Sequence, residues 1–443
     1  MTKQLQAGAA AVDITPVDSQ FLYGYPFVPR YSTGVHDPLL SSALYLSDGK
    51  SEAMFIANDI IWIGKKSTQR IRERICSATA VPAEAIMVTA THTHSGPMTL
   101  DYISNEADQA VPKTDPAYVR YIEDRIVLAG IKAFEAAQSA EAGLTCVEVV
   151  GLGTNRRDPE GPTDREVPIL MIRSLHTGCP LACMLICSMH PTVLHEDSRL
   201  ISGDFPGLAR QYLQNELLGD GCPVLYHTGP AGNQSPRHVT RSNTFDEAER
   251  LGALLAKSVL EAIPSIRYCT ALEIGVRQVF TDLPRRQLPT LFEAQTIRDD
   301  AKRRLEELKR TQGSRQAIRT AEVDWFGAEE TLTLARAAAE GRLEESYASV
   351  LPAEIQLISI GPWAFVGWQG EIFVEYALAV KGSRPLTYVI SLANGELQGY
   401  IVTPEAVNER AYEASNALFA PESGRILVER TIELLDHYRS RSR

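Results

Sequence analysis

No run of about 20 apolar residues occurs anywhere in this chain of 443 residues, so nothing in it reads as a membrane-spanning helix. The opening Met1-Thr2-Lys3-Gln4-Leu5-Gln6 lacks the apolar centre of a signal peptide. Cysteine is scarce and unpatterned. The seven cysteines are odd in number and form no C-x-x-C pair, which argues against a disulfide framework, a Cys-rich zinc site and a dithiol redox motif. Basic residues are in deficit. Lys and Arg total 44 against 55 Asp and Glu, a net charge of -11, which argues against a phosphate-backbone binder. These absences point to a cytoplasmic protein with reduced thiols, no nucleic-acid partner and no stable membrane association.

What is present is the composition of a folded globular chain. Residues 7–15 and 39–63 read as strands, with Ser47-Asp48-Gly49 turning a hairpin between two apolar runs. Residues 67–77 read as a helix leading into a strand that ends near His92. Asp115-Pro116 has the form of an N-cap followed by a first-turn proline, opening a helix to about Gln138. Strands are expected at 144–150, 167–174, 181–189 and 223–226, and helices at 205–217 and 245–262. Residues 290–346 are polar and rich in Arg, Lys, Glu and Ala, which predicts a helical insertion. It is read as structural or oligomeric, or else as a lid. Strands resume at 354–360, 363–368 and 386–392, and helices close the chain at about 404–414 and 423–438. Alternation of strands and helices predicts an α/β fold, a layered mixed β-sheet core flanked by helices. With no repeat or linker to divide it, 1–443 reads as one elaborated domain.

The chemistry-bearing segments sit at expected strand ends. Thr91-His92-Thr93-His94-Ser95-Gly96-Pro97 follows the β-prone run 85–90. Neutral imidazole is a common ligand of transition metals. In an extended segment His92 and His94 would face the same side. Two surface histidines in a polar loop are the plainer reading. Cys187-Ser188-Met189-His190-Pro191-Thr192 repeats the arrangement of apolar strand, histidine and proline. His227-Thr228-Gly229-Pro230-Ala231-Gly232-Asn233-Gln234-Ser235-Pro236 is a Gly-rich loop able to expose backbone N–H groups. It is not G-x-S-x-G, so Ser235 is not on a nucleophile elbow. Glu371 stands after an apolar strand at a helix start, where a carboxylate either caps the dipole or binds a cation. Asp59, His36 and Asp204 end strands or turns and read as metal-supporting groups or turn caps. His195, His227 and His238 read as loop residues, His176 and His437 as surface ones.

Together these segments resemble the N-terminal catalytic domain of the neutral/alkaline non-lysosomal ceramidases. The resemblance runs through Gly8-Ala9-Ala10-Ala11-Val12-Asp13-Ile14-Thr15-Pro16, Gly24-Tyr25, Gly34-Val35-His36-Asp37, the full Thr91–Pro97 signature, His190-Pro191-Thr192, Ser202-Gly203-Asp204, Asn233-Gln234-Ser235-Pro236, Gly370-Glu371-Ile372-Phe373, Gly399–Thr403 and Arg410-Ala411-Tyr412-Glu413. The Asn233–Pro236 loop departs from the family's GDVSPN pattern. The resemblance implies a Zn²⁺ site made by His92, His190, Glu371 and Tyr400. It implies that His94 meets the substrate or the attacking water, that Ser235 is the active-site serine, and that Gly24, Arg156 and Tyr412 contact the substrate. His94, Ser235 and Tyr412 are the implied catalytic groups. The family's C-terminal β-domain has no counterpart here, and no amphipathic membrane helix is evident. The expected function is therefore a zinc-dependent hydrolase of an amide bond in a small soluble substrate. The alternatives are another zinc enzyme (lactonase, esterase, lyase or isomerase) on a polyhydroxy substrate, or a non-catalytic zinc-dependent binding protein.

Overall fold

The computed structural model describes residues 4–441. An eight-stranded mixed sheet contains β1 (Gln6–Asp13), β2 (Leu40–Ser47), β3 (Glu52–Asn58), β4 (Ile86–Ala90), β5 (Gln138–Glu148), β6 (Glu166–Ser174), β7 (Pro180–Cys187) and β8 (Val224–Thr228). Its order is β8-β7-β6-β5-β1-β2-β3-β4. Only β3–β4 and β7–β8 are parallel, and each of those pairs is joined through a helix, as a parallel connection requires. The first crossover is α1 (Lys65–Thr79) and the second is α3 (Asp204–Leu213). α2 (Pro116–Glu135) follows β4 and α4 (Phe245–Ala262) follows β8. The two halves thus repeat one order of three strands, helix, strand, helix, and meet where β1 pairs with β5. The sequence shows no such repeat.

The second sheet holds β9 (Ile274–Thr281), β10 (Ala353–Ile360), β11 (Trp363–Trp368) and β12 (Thr387–Ile390) in that order. Alternation along the strands assigns the layers. Met54 and Ile56 of β3 face α1 and α2, whereas Ala53, Phe55 and Ala57 face the second sheet. Ile358 and Ile360 of β10 meet that inter-sheet core, while Ile355 and Leu357 face the outer helices. The outer layer includes α8 (Val374–Ser383) and α11 (Glu422–Arg441). Four layers result: helices, large sheet, small sheet, helices.

The expected helical insertion is real and lies between β9 and β10, which pair as neighbours despite the long excursion between them. It consists of α5 (Leu291–Arg310), α6 (Arg315–Ala339) and α7 (Leu343–Val350). A Thr290/Glu293 capping box opens α5. α6 reaches back to the N-terminal loop, where Phe326 stacks on Phe27 at 5.1 Å, and to the loop after β7, where Arg319 pairs with Glu196 at 3.0 Å. The edge strand β9 carries no clean alternation and was not expected. The helix expected at 404–414 is broken into α9 (Pro404–Asn408) and α10 (Tyr412–Asn416), with Arg410 between them at φ 55°. All seven cysteines are free, with Cys183 and Cys187 in the core of β7.

A buried polar network holds the free edge of β4. Arg72 of α1 makes a two-pronged pair with Glu354 of β10, at 3.0 and 2.8 Å, and donates to the Ile86 carbonyl at 2.7 Å. Asn394 donates to Glu354 and Gln356 at 3.0 and 2.7 Å. It also accepts the Val88 N–H at 2.9 Å, and its own N–H reaches the Val88 carbonyl at 2.7 Å. Edge groups that would otherwise be unpaired are thereby satisfied. The strand so fixed is the one that delivers His92.

Candidate active site

β4 ends at Ala90, and the chain then turns sharply. His92 adopts φ 67°, a left-handed conformation uncommon outside glycine. Its N–H is held by the Ile60 carbonyl at 3.0 Å, and the preceding Thr91 carbonyl accepts from Thr228 Oγ1 at 2.7 Å. His92 and His94 do meet, but across this turn rather than along an extended strand. Their ring centroids are 4.8 Å apart. His190 follows β7 and enters the same space, with its ring 4.7 Å from that of His92.

Three donor atoms make a tight triangle. His92 Nε2 lies 3.1 Å from His190 Nε2 and 3.2 Å from Glu371 Oε2, and His190 Nε2 is 3.1 Å from the same carboxylate oxygen. Ligands about 2.0–2.1 Å from one tetrahedral ion would be about 3.3 Å apart, so the donor set fits zinc. His94 Nε2 stands 3.3 Å from His92 Nε2, and His92, His94 and His190 form one metal-capable group. The three imidazoles are not equally held. His92 Nδ1 is bound to the Ile61 carbonyl at 2.9 Å and His190 Nδ1 to the Ala231 carbonyl at 2.6 Å. Such outer partners fix the tautomer and leave Nε2 free to ligate. His94 Nδ1 has no partner.

Electrostatics agree with a cation site. Burial lowers the His190 pKa to about 4 and, with its two histidine neighbours, holds that of His94 well below the ordinary value, so both are neutral near neutral pH. Burial raises the Glu371 pKa, but His92 and His190 outweigh it and hold the carboxyl well below the usual range.

Glu371 and Tyr400 are opposite each other in a two-residue parallel ladder. Gly232 lets the loop after β8 lie against Glu371, since a Cβ there would sit 3.0–3.1 Å from backbone atoms of Ile372 and Glu371. The Arg156 guanidinium lies 5.2 Å from the Tyr400 ring centroid and pairs with Glu413 at 2.6 Å. Its Nη2 is buried and unpartnered. Tyr412 is 6.4 Å from Tyr400, ring to ring. Gly24, at φ 117°, abuts His94 so closely that a Cβ would come within 2.2 Å of Nδ1. Ser235 is buried, and its Oγ accepts the Arg237 N–H at 3.2 Å, capping a short turn.

Other expectations shift. The Asp59 side chain bonds elsewhere than to His92. It accepts from Arg210 at 2.7 Å and from the Leu40 N–H at 2.9 Å. Asp204 accepts the Val193 and Leu194 N–H groups, at 3.1 and 3.0 Å, and so shapes the loop after His190. His36 pairs with Asp37 at 2.8 Å. His227 is no loop residue: it lies fully buried in β8 against Thr89, 2.8 Å from its hydroxyl. Sequence reasoning missed Glu413, which follows Tyr412 directly, and the buried wall of Tyr23, Trp62 and Tyr102. It also gave no role to Glu396 or to Glu330. Nothing in the pattern of α6 distinguishes Glu330 from its half-buried acidic neighbours.

Residues 5–224 match the family described as neutral/alkaline non-lysosomal ceramidase, N-terminal. Neutral ceramidase A of Dictyostelium discoideum is 25% identical over 243 residues, covering 51% of this chain and 34% of the relative. Neutral ceramidase B of the same organism is 24% identical over 234 residues, covering 49% and 32%. The matched region is thus about a third of the length of these curated relatives. The crystal structure of neutral ceramidase from Pseudomonas aeruginosa shares the fold over 97% of this chain and 73% of that one, with a TM-score of 0.74 at 18% identity. A ceramidase complexed with C2 matches over 96% and 74%, with the same TM-score at 16% identity. Over residues 5–224 the chain thus resembles the neutral/alkaline non-lysosomal ceramidases, and over nearly its whole length it shares the fold of a neutral ceramidase.

Proposed function

We propose that the chain is a zinc-dependent hydrolase that cleaves an amide (N-acyl) bond of a small soluble substrate. The observation that carries this reading is the triangle of His92 Nε2, His190 Nε2 and Glu371 Oε2 at 3.1–3.2 Å, in a chain related to ceramidases. His92, His190, Glu371 and Tyr400 hold the zinc, with two neutral nitrogens and harder oxygens suiting that ion. Zinc, when bound, supplies Lewis-acid polarisation to the scissile carbonyl and to an attacking water. His94, with no partner on Nδ1, is the imidazole free to move a proton. Arg156, through its free Nη2, and Tyr412 steady the oxygen that gains charge. Water adds to the acyl carbon, the C–N bond breaks, and a proton passes to the departing amine, giving a carboxylic acid and an amine. Ser235 serves as a hydrogen-bonding turn residue and not as a nucleophile.

Incubation of the zinc-loaded protein with a panel of N-acyl amines is expected to release free amine, and chelation should abolish that release. No turnover of any amide by protein of verified zinc content would end this reading. A finer test is Gly24→Ala. The added methyl would come within 2.2 Å of His94 Nδ1 on a backbone at φ 117°, so the imidazole must move. Zinc content should stay near one per chain while turnover falls by roughly 10²-fold or more. Full activity in Gly24→Ala would mean that the position of His94 is unimportant.

A further inference from the structure

The site wall continues past the metal donors into a cluster that amide cleavage does not use. Glu330, from α6, and Glu396, from the loop leading to Tyr400, are 3% and 1% exposed. Glu330 accepts from Asn105 Nδ2 at 2.9 Å through Oε1, but its Oε2 has no partner. Glu396 accepts the Leu397 N–H at 3.0 Å, and its Oε2 forms no hydrogen bond of ordinary geometry even with the neighbouring Tyr102 hydroxyl. Asn105, Asn416 and Tyr412 act on Glu330 as hydrogen-bonding neighbours and Asp108 as a like charge; Glu371 acts on Glu396 as a like charge, and Tyr102 and the Leu397 and Gly399 N–H groups as hydrogen-bonding neighbours. None is a cation. Burial raises the two carboxyls to about 7 and about 8.

Both acids adjoin an aromatic surface that leads to the metal donors. Trp62 stacks on Tyr102 at 4.1 Å and lies 6.1 Å from the His92 ring. Tyr23 packs 4.8 Å from Trp62 and donates to Asn105, the residue that holds Glu330. Trp62 Nε1 is also buried without a partner. Unpartnered buried polar atoms are rare in folded chains and call for a ligand or water. Buried carboxyls are normally paired with a positive charge. A site that combines carboxyls lacking a cation with the faces of Trp and Tyr has the two features that bind an ammonium group.

We infer that the substrate carries an ammonium group besides its amide, received by Glu330 and Glu396 beside Trp62 and Tyr102, so that its class is that of mono-N-acylated diamines. This rests on the amide-hydrolase reading. Binding of the ammonium supplies the positive charge that the cluster lacks. The helical insertion thereby gains a part in specificity, because Glu330 comes from it.

The test compares N-acetyl-1,4-diaminobutane with N-acetyl-4-aminobutan-1-ol, in which a hydroxyl replaces the ammonium. The zinc-loaded protein should favour the first by at least about tenfold in kcat/KM, as a charge-assisted contact implies. Glu330→Gln and Glu396→Gln, which preserve side-chain size, should each reduce that ratio. Equal rates for the two substrates, or an undiminished preference in both variants, would overturn the proposal. If neither amide is cleaved, calorimetric titration with 1,4-diaminobutane decides. Binding weakened by either glutamine variant would keep the ammonium site and remove only the hydrolase reading, whereas absence of binding would remove both.

Discussion

His92→Asn is expected to empty the metal site, and His94→Ala to leave it filled but slow. Asparagine is the better replacement at 92 because it tolerates the left-handed backbone found there, at φ 67°. Loss of His92 Nε2 removes one corner of the triangle with His190 and Glu371. Loss of an outer partner alone costs roughly 10–100-fold in metal affinity or activity, so loss of a ligand should exceed that. Zinc per chain should fall from about one to near zero, and turnover to background. His94 differs because no carbonyl fixes its Nδ1. Its removal should leave zinc in place and cost roughly 10²–10⁴ in kcat, the usual worth of a positioned acid–base group. Metal analysis beside kinetics separates the two. Zinc lost from both variants would make His94 a ligand, and zinc retained in both would refute the proposed ligand set.

The largest expected loss of stability comes from Glu354→Ala. Glu354 and Arg72 are nearly sealed from water, with side chains 5% and 7% exposed. Removal of the carboxylate leaves a buried guanidinium uncompensated, which costs about 3–5 kcal/mol. It also deprives Asn394 Nδ2 of one of its acceptors. Urea unfolding should report the loss, and a change below about 1 kcal/mol would show that the pair is dispensable. Arg72→Met combined with Glu354→Leu should recover part of it, since an apolar pair leaves no stranded charge. Because Asn394 and Arg72 clamp the edge of β4, the single variant should also bind zinc less tightly.

Much of the fold was legible because the large sheet is buried on both faces. Its strands therefore stand out as apolar runs such as Ile86–Ala90 and Pro180–Cys187. Helix starts were legible where capping chemistry is local: Asp115 accepts the Ala117 N–H at 2.8 Å, as the Asp-Pro pair implied. β9 was not legible. It lies at a sheet edge with intermediate burial, so its sequence carries neither a continuous apolar run nor a clean alternation. The break at Arg410 was hidden for a related reason, because a single left-handed residue other than glycine leaves no mark in composition.

The sequence alone determined which side chains are able to bind a metal and that His92, His190 and Glu371 follow apolar strands, because residue type and local periodicity are properties of short segments. Tertiary structure decided what they do together. It brought atoms 98 and 181 residues apart to within 3.1 Å, gave His92 and His190 carbonyl partners and left His94 without one. It also carried Glu330 from the helical insertion into the wall of the site, next to Asn105, 225 positions away. Such placements depend on the pairing of β1 with β5 and on the stacking of the second sheet over the first, which are long-range contacts that no short stretch of sequence encodes.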